Sequence, residues 1–123
     1  MSLDPPLILW SLACKSASLP AFEGAKRYTV NVLASEQSEL AGRFSRPHAD
    51  RFSEVGYRLG WADAPLIDGC VAWFECSQHA QFRAGDHMVF VGKVVTCERA
   101  PGRGLVFHDG QFAKTVPLAN HGT

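Results

Sequence analysis

Gly85-Asp86-His87 stands directly before the alternating run Met88-Val89-Phe90-Val91-Gly92-Lys93-Val94-Val95, and it is the strongest chemical signal in the chain. Glycine permits a sharp entry into a strand, and an aspartate can bond local backbone or fix the imidazole beside it. Histidine is the side chain best suited to handle a proton near neutral pH, its unperturbed pKa being about 6.5. Asp86 and His87 are therefore the candidate catalytic pair. The same tripeptide also reads as an ordinary turn, so its meaning depends on what surrounds it.

A second candidate is the stretch Ala13-Cys14-Lys15-Ser16-Ala17-Ser18. The hydroxyls of Ser16 and Ser18 can bond phosphate, backbone N–H groups at a helix start add to that field, and Lys15 supplies charge. The plain alternative is a Ser18 N-cap beside a solvated lysine. Arg43 falls at the end of a predicted helix, where a cation is favourable for its own sake. Asn31 sits among apolar neighbours and reads as a partner for buried backbone. Trp10 and Trp73 lie in predicted strands and read as core or interface. Trp61 lies in a polar stretch, where it could act as a lid. His48, His79, His108 and His121 have no setting comparable to that of His87.

The elements that must position these groups are mostly strands. Leu7 to Ala13 follows Pro5-Pro6, and proline suits the first residues of a strand. Arg27 to Leu33 alternates, with Tyr28, Val30 and Val32 on one face. Cys70 to Cys76 and Met88 to Cys97 read as further strands. Leu105 to His108 and Gln111 to Lys114 flank Asp109-Gly110, a strong hairpin signal, which makes the C-terminal third a meander. Two helices are expected, one capped by Ser18 and running through Lys26, the other capped by Ser35 and covering Glu36 to Phe44. Between Ser45 and Pro65 the chain is polar and irregular, broken by Pro47, Gly56 and Gly60, and an excursion of that length in a small domain is usually functional. The reading is mainly β: a β-barrel with peripheral short helices.

With 123 residues, 46% of them apolar, the chain is long enough for one domain with a real core. Twelve basic and twelve acidic residues give zero formal charge, so there is no electrostatic footprint for nucleic acid or a membrane surface. No apolar run approaches the roughly 18 residues of a membrane span, and the N-terminus lacks the basic region of a signal peptide. A cytoplasmic protein is expected. Cys14, Cys70, Cys76 and Cys97 show no Cys-x2-Cys spacing, so no metal site is expected and reduced thiols are.

Seven segments in order are similar to a known family. They are Ser2-Leu3-Asp4-Pro5-Pro6-Leu7, the Cys14–Ser18 loop, Tyr28-Thr29-Val30-Asn31-Val32-Leu33 and Glu39-Leu40-Ala41-Gly42-Arg43-Phe44. The others are the block from Ala64 to Gly69 with Trp73-Phe74-Glu75-Cys76, then Gly85-Asp86-His87 with Val91-Gly92-Lys93-Val94, and the closing Leu105–Phe112 hairpin. Together they resemble the flavin reductase-like proteins, which adopt the FMN-binding split barrel. The resemblance implies an NAD(P)H-dependent flavin reductase that passes hydride from NADH or NADPH to FMN or FAD. It also implies a homodimer and a flavin-dependent monooxygenase that uses the reduced flavin.

On that resemblance His87 positions the nicotinamide and Asp86 holds the turn or the ring. Ala13, Cys14, Lys15, Ser16, Ser18 and Arg43 would contact the flavin. No Gly-x-Gly-x-x-Gly follows any strand, so a Rossmann domain is not available for the dinucleotide. Family members carry about a third of a barrel before the Ser2–Leu7 strand, and valine often stands where this chain has Met1. The expectation is a start assigned at an internal GTG codon; a true short form would make an incomplete barrel with an open edge. Three rival readings stand beside the reductase: a flavin-binding barrel without turnover, a cysteine-based redox or metal protein, and a purely structural dimer module.

Overall fold

The computed structural model describes residues 2–45, 52 and 54–118; His48, His121, Pro47 and Met1 lie outside the described residues. Four antiparallel strands form the main sheet in the order β1-β6-β5-β2. They are β1 (Leu7–Ala13), β2 (Arg27–Val32), β5 (Ala72–Ala84) and β6 (His87–Arg99). Two small ribbons, β3 (Tyr57–Leu59) with β4 (Pro65–Ile67) and β7 (Leu105–His108) with β8 (Gln111–Lys114), complete a mainly β chain. The sheet curls into a half-barrel, in keeping with the expected fold class.

The β5–β6 hairpin is the spine of this sheet. Its register slips at two bulges: Val95 is the extra residue on β6 between the Glu75–Thr96 and Cys76–Val94 pairs, and His79 is the extra residue on β5. Each bulge adds local twist and bends a strand, which curls a hairpin too long to stay flat. Gly85 closes the hairpin with φ +62°, the positive value required at the first central position of a type II′ turn. Asp109 (φ +51°) and Gly110 (φ +77°) are both positive, as the type I′ turn expected for Asp-Gly demands.

Strands β1, β7 and β8 have the predicted bounds. Strand β2 stops one residue short of Leu33, and β6 starts at His87 and runs on to Arg99. The largest departure is β5, expected over Cys70–Cys76 and found to continue through Ala84. Its second half, Ser77-Gln78-His79-Ala80-Gln81-Phe82-Arg83-Ala84, is too polar to show alternation, and pairing with β6 holds it extended. The C-terminal third is no meander: β7 leaves β6 and joins the end of β2 instead, where Leu105 N–H donates to Leu33 O at 2.8 Å.

Both helix caps differ from expectation. Helix α1 (Leu19–Gly24) is shorter than the predicted run to Lys26, and Ser18 makes no side-chain cap bond. Its φ −83° and ψ −10° are helical, whereas a capping hydroxyl needs extended backbone to reach the first-turn N–H groups. The second helix begins as a 3-10 turn, Ser35–Gln37, before α2 (Ser38–Ser45). There Gln37 Oε1 accepts from Ala34 N–H at 2.8 Å, while the Ser35 hydroxyl donates to Glu36, so Ser35 is not the cap.

The two faces of the sheet are covered differently. On one, α1 closes an aromatic cluster in which Trp10 stacks on Phe90 at 4.5 Å and meets Phe22 and Tyr28 edge-on. On the other, residues 54–67, which read as largely irregular, form a strap pinned to β2 and β5. Trp73 Nε1 donates to Ile67 O, and the buried Glu75 carboxylate accepts from Ala62 N–H. Leu66, Ile67, Cys70 and Trp73 form the core beneath it.

Asn31 is the clasp of the strap. Its Nδ2 donates to Pro65 O at 3.1 Å and its Oδ1 accepts from Ile67 N–H at 2.8 Å, the backbone-satisfying role read for it. Asn31→Ala removes both bonds and strands Ile67 N–H, while Pro65 O keeps the Thr29 hydroxyl at 2.9 Å, so we expect a loss of about 2 kcal/mol. Urea unfolding checks this, and a change within experimental error would show that packing and the Trp73, Glu75 and Thr29 bonds hold the strap without Asn31.

Candidate active site

Strand pairing brings the two sequence candidates together. Ala13 pairs with His87 across β1 and β6, and the next residue, Cys14, donates its N–H to Asp86 O at 2.8 Å. The Cys14–Ser18 loop and the β5–β6 tip are thus one continuous backbone platform. Within the loop Ser16 N–H returns to Ala13 O, and Ser16 Oγ accepts from Ser18 N–H at 3.2 Å. That makes a compact turn with Lys15 exposed at its crest.

At the tip, Asp86 Oδ1 lies 2.8 Å from His87 Nδ1. Asp86 is 96% exposed and the His87 side chain 48%. The hydrogen bond and charge of His87 hold the Asp86 carboxyl below the usual carboxylate range. With Nδ1 engaged, His87 turns Nε2 away from its own turn, which is how a neighbouring carboxylate sets an imidazole's orientation. The pair can present one ring nitrogen to a ligand over the sheet face it shares with Ala13 and Ala84.

That face is uncovered beside His87. Three ladder rows cross it: Leu9, Val91 and Ala80, then Ser11, Val89 and Phe82, then Ala13, His87 and Ala84. Leu9 and Phe82 are 50% and 53% exposed, which is costly for large apolar groups left in water.

A cavity of about 560 Å³ adjoins the loop through Ser18 and is walled by Phe22, Tyr28, Asn31, Phe44 and Pro65. This is within the size range of small-molecule sites, and the Ser18 hydroxyl, unused as a cap, belongs to its wall. Arg43 is elsewhere: it lines a separate groove with Glu36, Glu39, Glu54 and Asp68. Those four carboxylates make a poor environment for phosphate, and the structure does not bring Arg43 to the tip.

The remaining candidates have structural settings. Trp10 and Trp73 are the core residues described above. Trp61 lies against Arg27, whose guanidinium is 4.6 Å from the indole centroid and whose Nη1 donates to Trp61 O. His79 is the bulge residue and His108 an exposed ribbon residue. Among the described residues no three His, Cys, Asp or Glu are placed to hold a metal, and no helix is long and apolar enough to cross a membrane.

All four cysteines are free. Burial, with the Glu75 charge behind it, pushes the Cys76 thiol up to about 11, and burial raises Cys70 as well. Thiolates react and thiols do not. Labelling the native protein with a disulfide reagent should therefore modify exposed Cys97 first and spare Cys70 and Cys76 until unfolding. Rapid loss of Cys70 or Cys76 would revive the cysteine-based reading.

Sequence reasoning missed Glu75, which holds the Gly60–Ala62 turn. It also missed Arg83, whose Nε donates to Gly85 O at 3.1 Å over the tip. Neither has a sequence signal until the length and register of β5 are known.

The model of the flavin reductase like domain family matches residues 1–115. The probable flavin reductase of Rhizobium meliloti is 38% identical over 112 residues, covering 91% of this chain and 36% of that protein. The reductase component of the flavin-dependent trigonelline monooxygenase of Acinetobacter baylyi has the same identity and the same coverage. The chain thus spans little more than a third of the length of these two curated relatives. Among solved structures, the NADH:FAD oxidoreductase of Streptomyces globisporus, in complex with NAD and FAD fragments, superposes with a TM-score of 0.91. It is 35% identical, with 98% of this chain and 74% of that one covered.

Proposed function

The chain belongs to the flavin reductase-like domain family, and from that premise we propose that it is an NAD(P)H-dependent flavin reductase serving a separate monooxygenase. The observation that carries the reading is the Cys14–Asp86 backbone bond with the Ala13–His87 pair, which fuses a hydroxyl- and lysine-bearing loop to a histidine tip. The names of similar proteins support it, including a reductase component of a flavin-dependent monooxygenase. FMN or FAD, when bound, would supply the ring that accepts hydride from the nicotinamide.

The residues present suit that group. Lys15, Ser16 and the backbone of the loop offer charge and donors for a flavin phosphate, and Ser18 stands at the mouth of the adjoining apolar cavity. Ala13 and Cys14, held beside His87 and Asp86 by strand pairing and the Cys14 N–H bond, would contact the flavin on the tip side. Arg43, in its separate carboxylate-lined groove, is not part of this proposed flavin site. His87 orients the nicotinamide and Asp86 orients His87; hydride transfer needs stacked, aligned rings more than a proton donor.

A homodimer formed across the exposed face beside His87 would cover Leu9, Val89 and Phe82 and seat the tip at the subunit boundary. Four unpaired thiols suit a reducing cytoplasm.

The test is NADH oxidation by the purified chain with FMN or FAD added, followed at the nicotinamide absorbance band. Turnover that depends on added flavin supports the proposal. Micromolar flavin binding without NADH oxidation would replace it with a binding module.

A further inference from the structure

The tip carries a cation that the site described above does not use. Arg83 closes the turn with its own Nε, donating to Gly85 O at 3.1 Å. That bond uses one donor and fixes the guanidinium plane, leaving the two terminal nitrogens as an outward fork, the geometry that matches phosphate oxygens. Among the described residues Arg83 forms no ion pair: Asp86, the nearest acid in sequence, is engaged by His87. Lys15, exposed on the loop bonded to this turn, is likewise without an ion pair. A chain of zero net charge thus places Lys15 and Arg83 around one turn, where the only carboxylate of the turn, Asp86, is tied to His87.

The ladder adds a shape requirement. Ala84 pairs with His87 and Arg83 with Met88, so Arg83 and His87 leave the hairpin from opposite faces. A compact anion can meet only one of them. A molecule with a ring separated from its phosphates by a ribose can place the ring on the His87 face and the phosphates over the tip. Building on the hydride-transfer reading, we propose that Arg83 is a specificity-determining residue that holds the diphosphate of the nicotinamide dinucleotide at the β5–β6 tip. The flavin phosphate, the other source of the same chemistry, belongs to the Lys15–Ser16 loop.

The experiment compares wild type, Arg83→Ala and Arg83→Lys. Steady-state assays vary NADH and FMN separately, and calorimetry measures ADP-ribose binding without turnover. Loss of one charge-assisted contact should raise the KM for NADH about tenfold, with kcat changed less than twofold and the KM for FMN held. ADP-ribose affinity should fall by the same factor, and Arg83→Lys should recover part of it at low salt. An unchanged KM for NADH, or a rise confined to the KM for FMN, overturns the assignment. Should the wild type oxidise no NADH, the reductase reading fails by itself. Arg83-dependent ADP-ribose binding would then still uphold the dinucleotide site, and no ADP-ribose binding by wild type would overturn it.

Discussion

Replacing His87 by alanine is expected to lower kcat/KM for NADH by about a hundredfold, the scale of misplacing one reactant by roughly an ångström. The ring is held on three sides. Strand pairing with Ala13 fixes its backbone, Asp86 fixes Nδ1 at 2.8 Å, and the type II′ turn at Gly85 fixes the direction from which it leaves β6. Because the side chain is half exposed and supports no core packing, thermal stability should be nearly unchanged. The loss therefore reads as positioning, and His87→Asn should recover part of it through a single ring-site donor. If His87→Ala retains wild-type kcat/KM, the tip is an ordinary turn and the hydride site lies elsewhere.

Asp86 gives that prediction a pH dependence. Hydrogen bonding and charge from His87 depress its carboxyl. The group is a carboxylate throughout the neutral range, and its hold on the ring is lost only as pH falls through a value below the ordinary carboxylate pKa. Wild type should show no loss of activity attributable to Asp86 on mild acidification. Asp86→Asn should lower kcat/KM about tenfold across the neutral range and abolish the acid limb, so that the two enzymes converge once the wild-type carboxyl is protonated. Since Asp86 is almost fully exposed, activity is the readout and stability is not.

How much of this could be read from residue order follows a physical line. The turn at Asp109-Gly110, the ends of β1 and the Gly85 entry into β6 are local decisions, made by residues whose φ preferences are strong, and all three were legible. The second half of β5 was not, because its polar residues are held extended by β6 and carry no pattern of their own. That miss hid Arg83, which becomes interesting only when β5 reaches the turn. The strap was hidden for a related reason: Asn31 and Glu75 satisfy backbone 34 to 36 and 13 residues away, and no local rule announces such partners. Ser18 and Ser35 failed as caps because capping depends on the backbone angle at the cap as well as on the side chain. The loop and the tip were each visible, whereas their union was a fact of register, set when Ala13 met His87.

Register also sets the second large effect. Gly92 pairs with Ile8 and Gln78 in the middle of the sheet, where a glycine ordinarily weakens a strand. Its reason is space. A Cβ there would sit 2.6 Å from Tyr28 Oη, 3.0 Å from Cys76 Cβ and 3.1 Å from the Tyr28 ring. All of these atoms belong to rigid, buried groups, and Cys76 and Phe90 are completely enclosed. Neither backbone nor ring can move without disturbing the Trp10–Phe90 stack, so Gly92→Ala should cost roughly 3 kcal/mol, a fall in Tm on the order of 10 °C. Tyr28→Phe provides the internal check. Burial raises the Tyr28 phenol pKa and the nearby Trp10 N–H pulls against it, yet the two atoms do not meet in a regular hydrogen bond, and neither has another partner. Removing a buried hydroxyl of that kind costs little, so Tyr28→Phe alone should be close to neutral. In the double variant it should restore part of the stability lost at Gly92, because the nearest clashing atom is gone. Equal destabilisation with and without the tyrosine oxygen would place the conflict at Cys76 and the strand itself. Gly92 of the Gly85–Val94 segment therefore makes room for the packed aromatic core, five residues along the strand from His87.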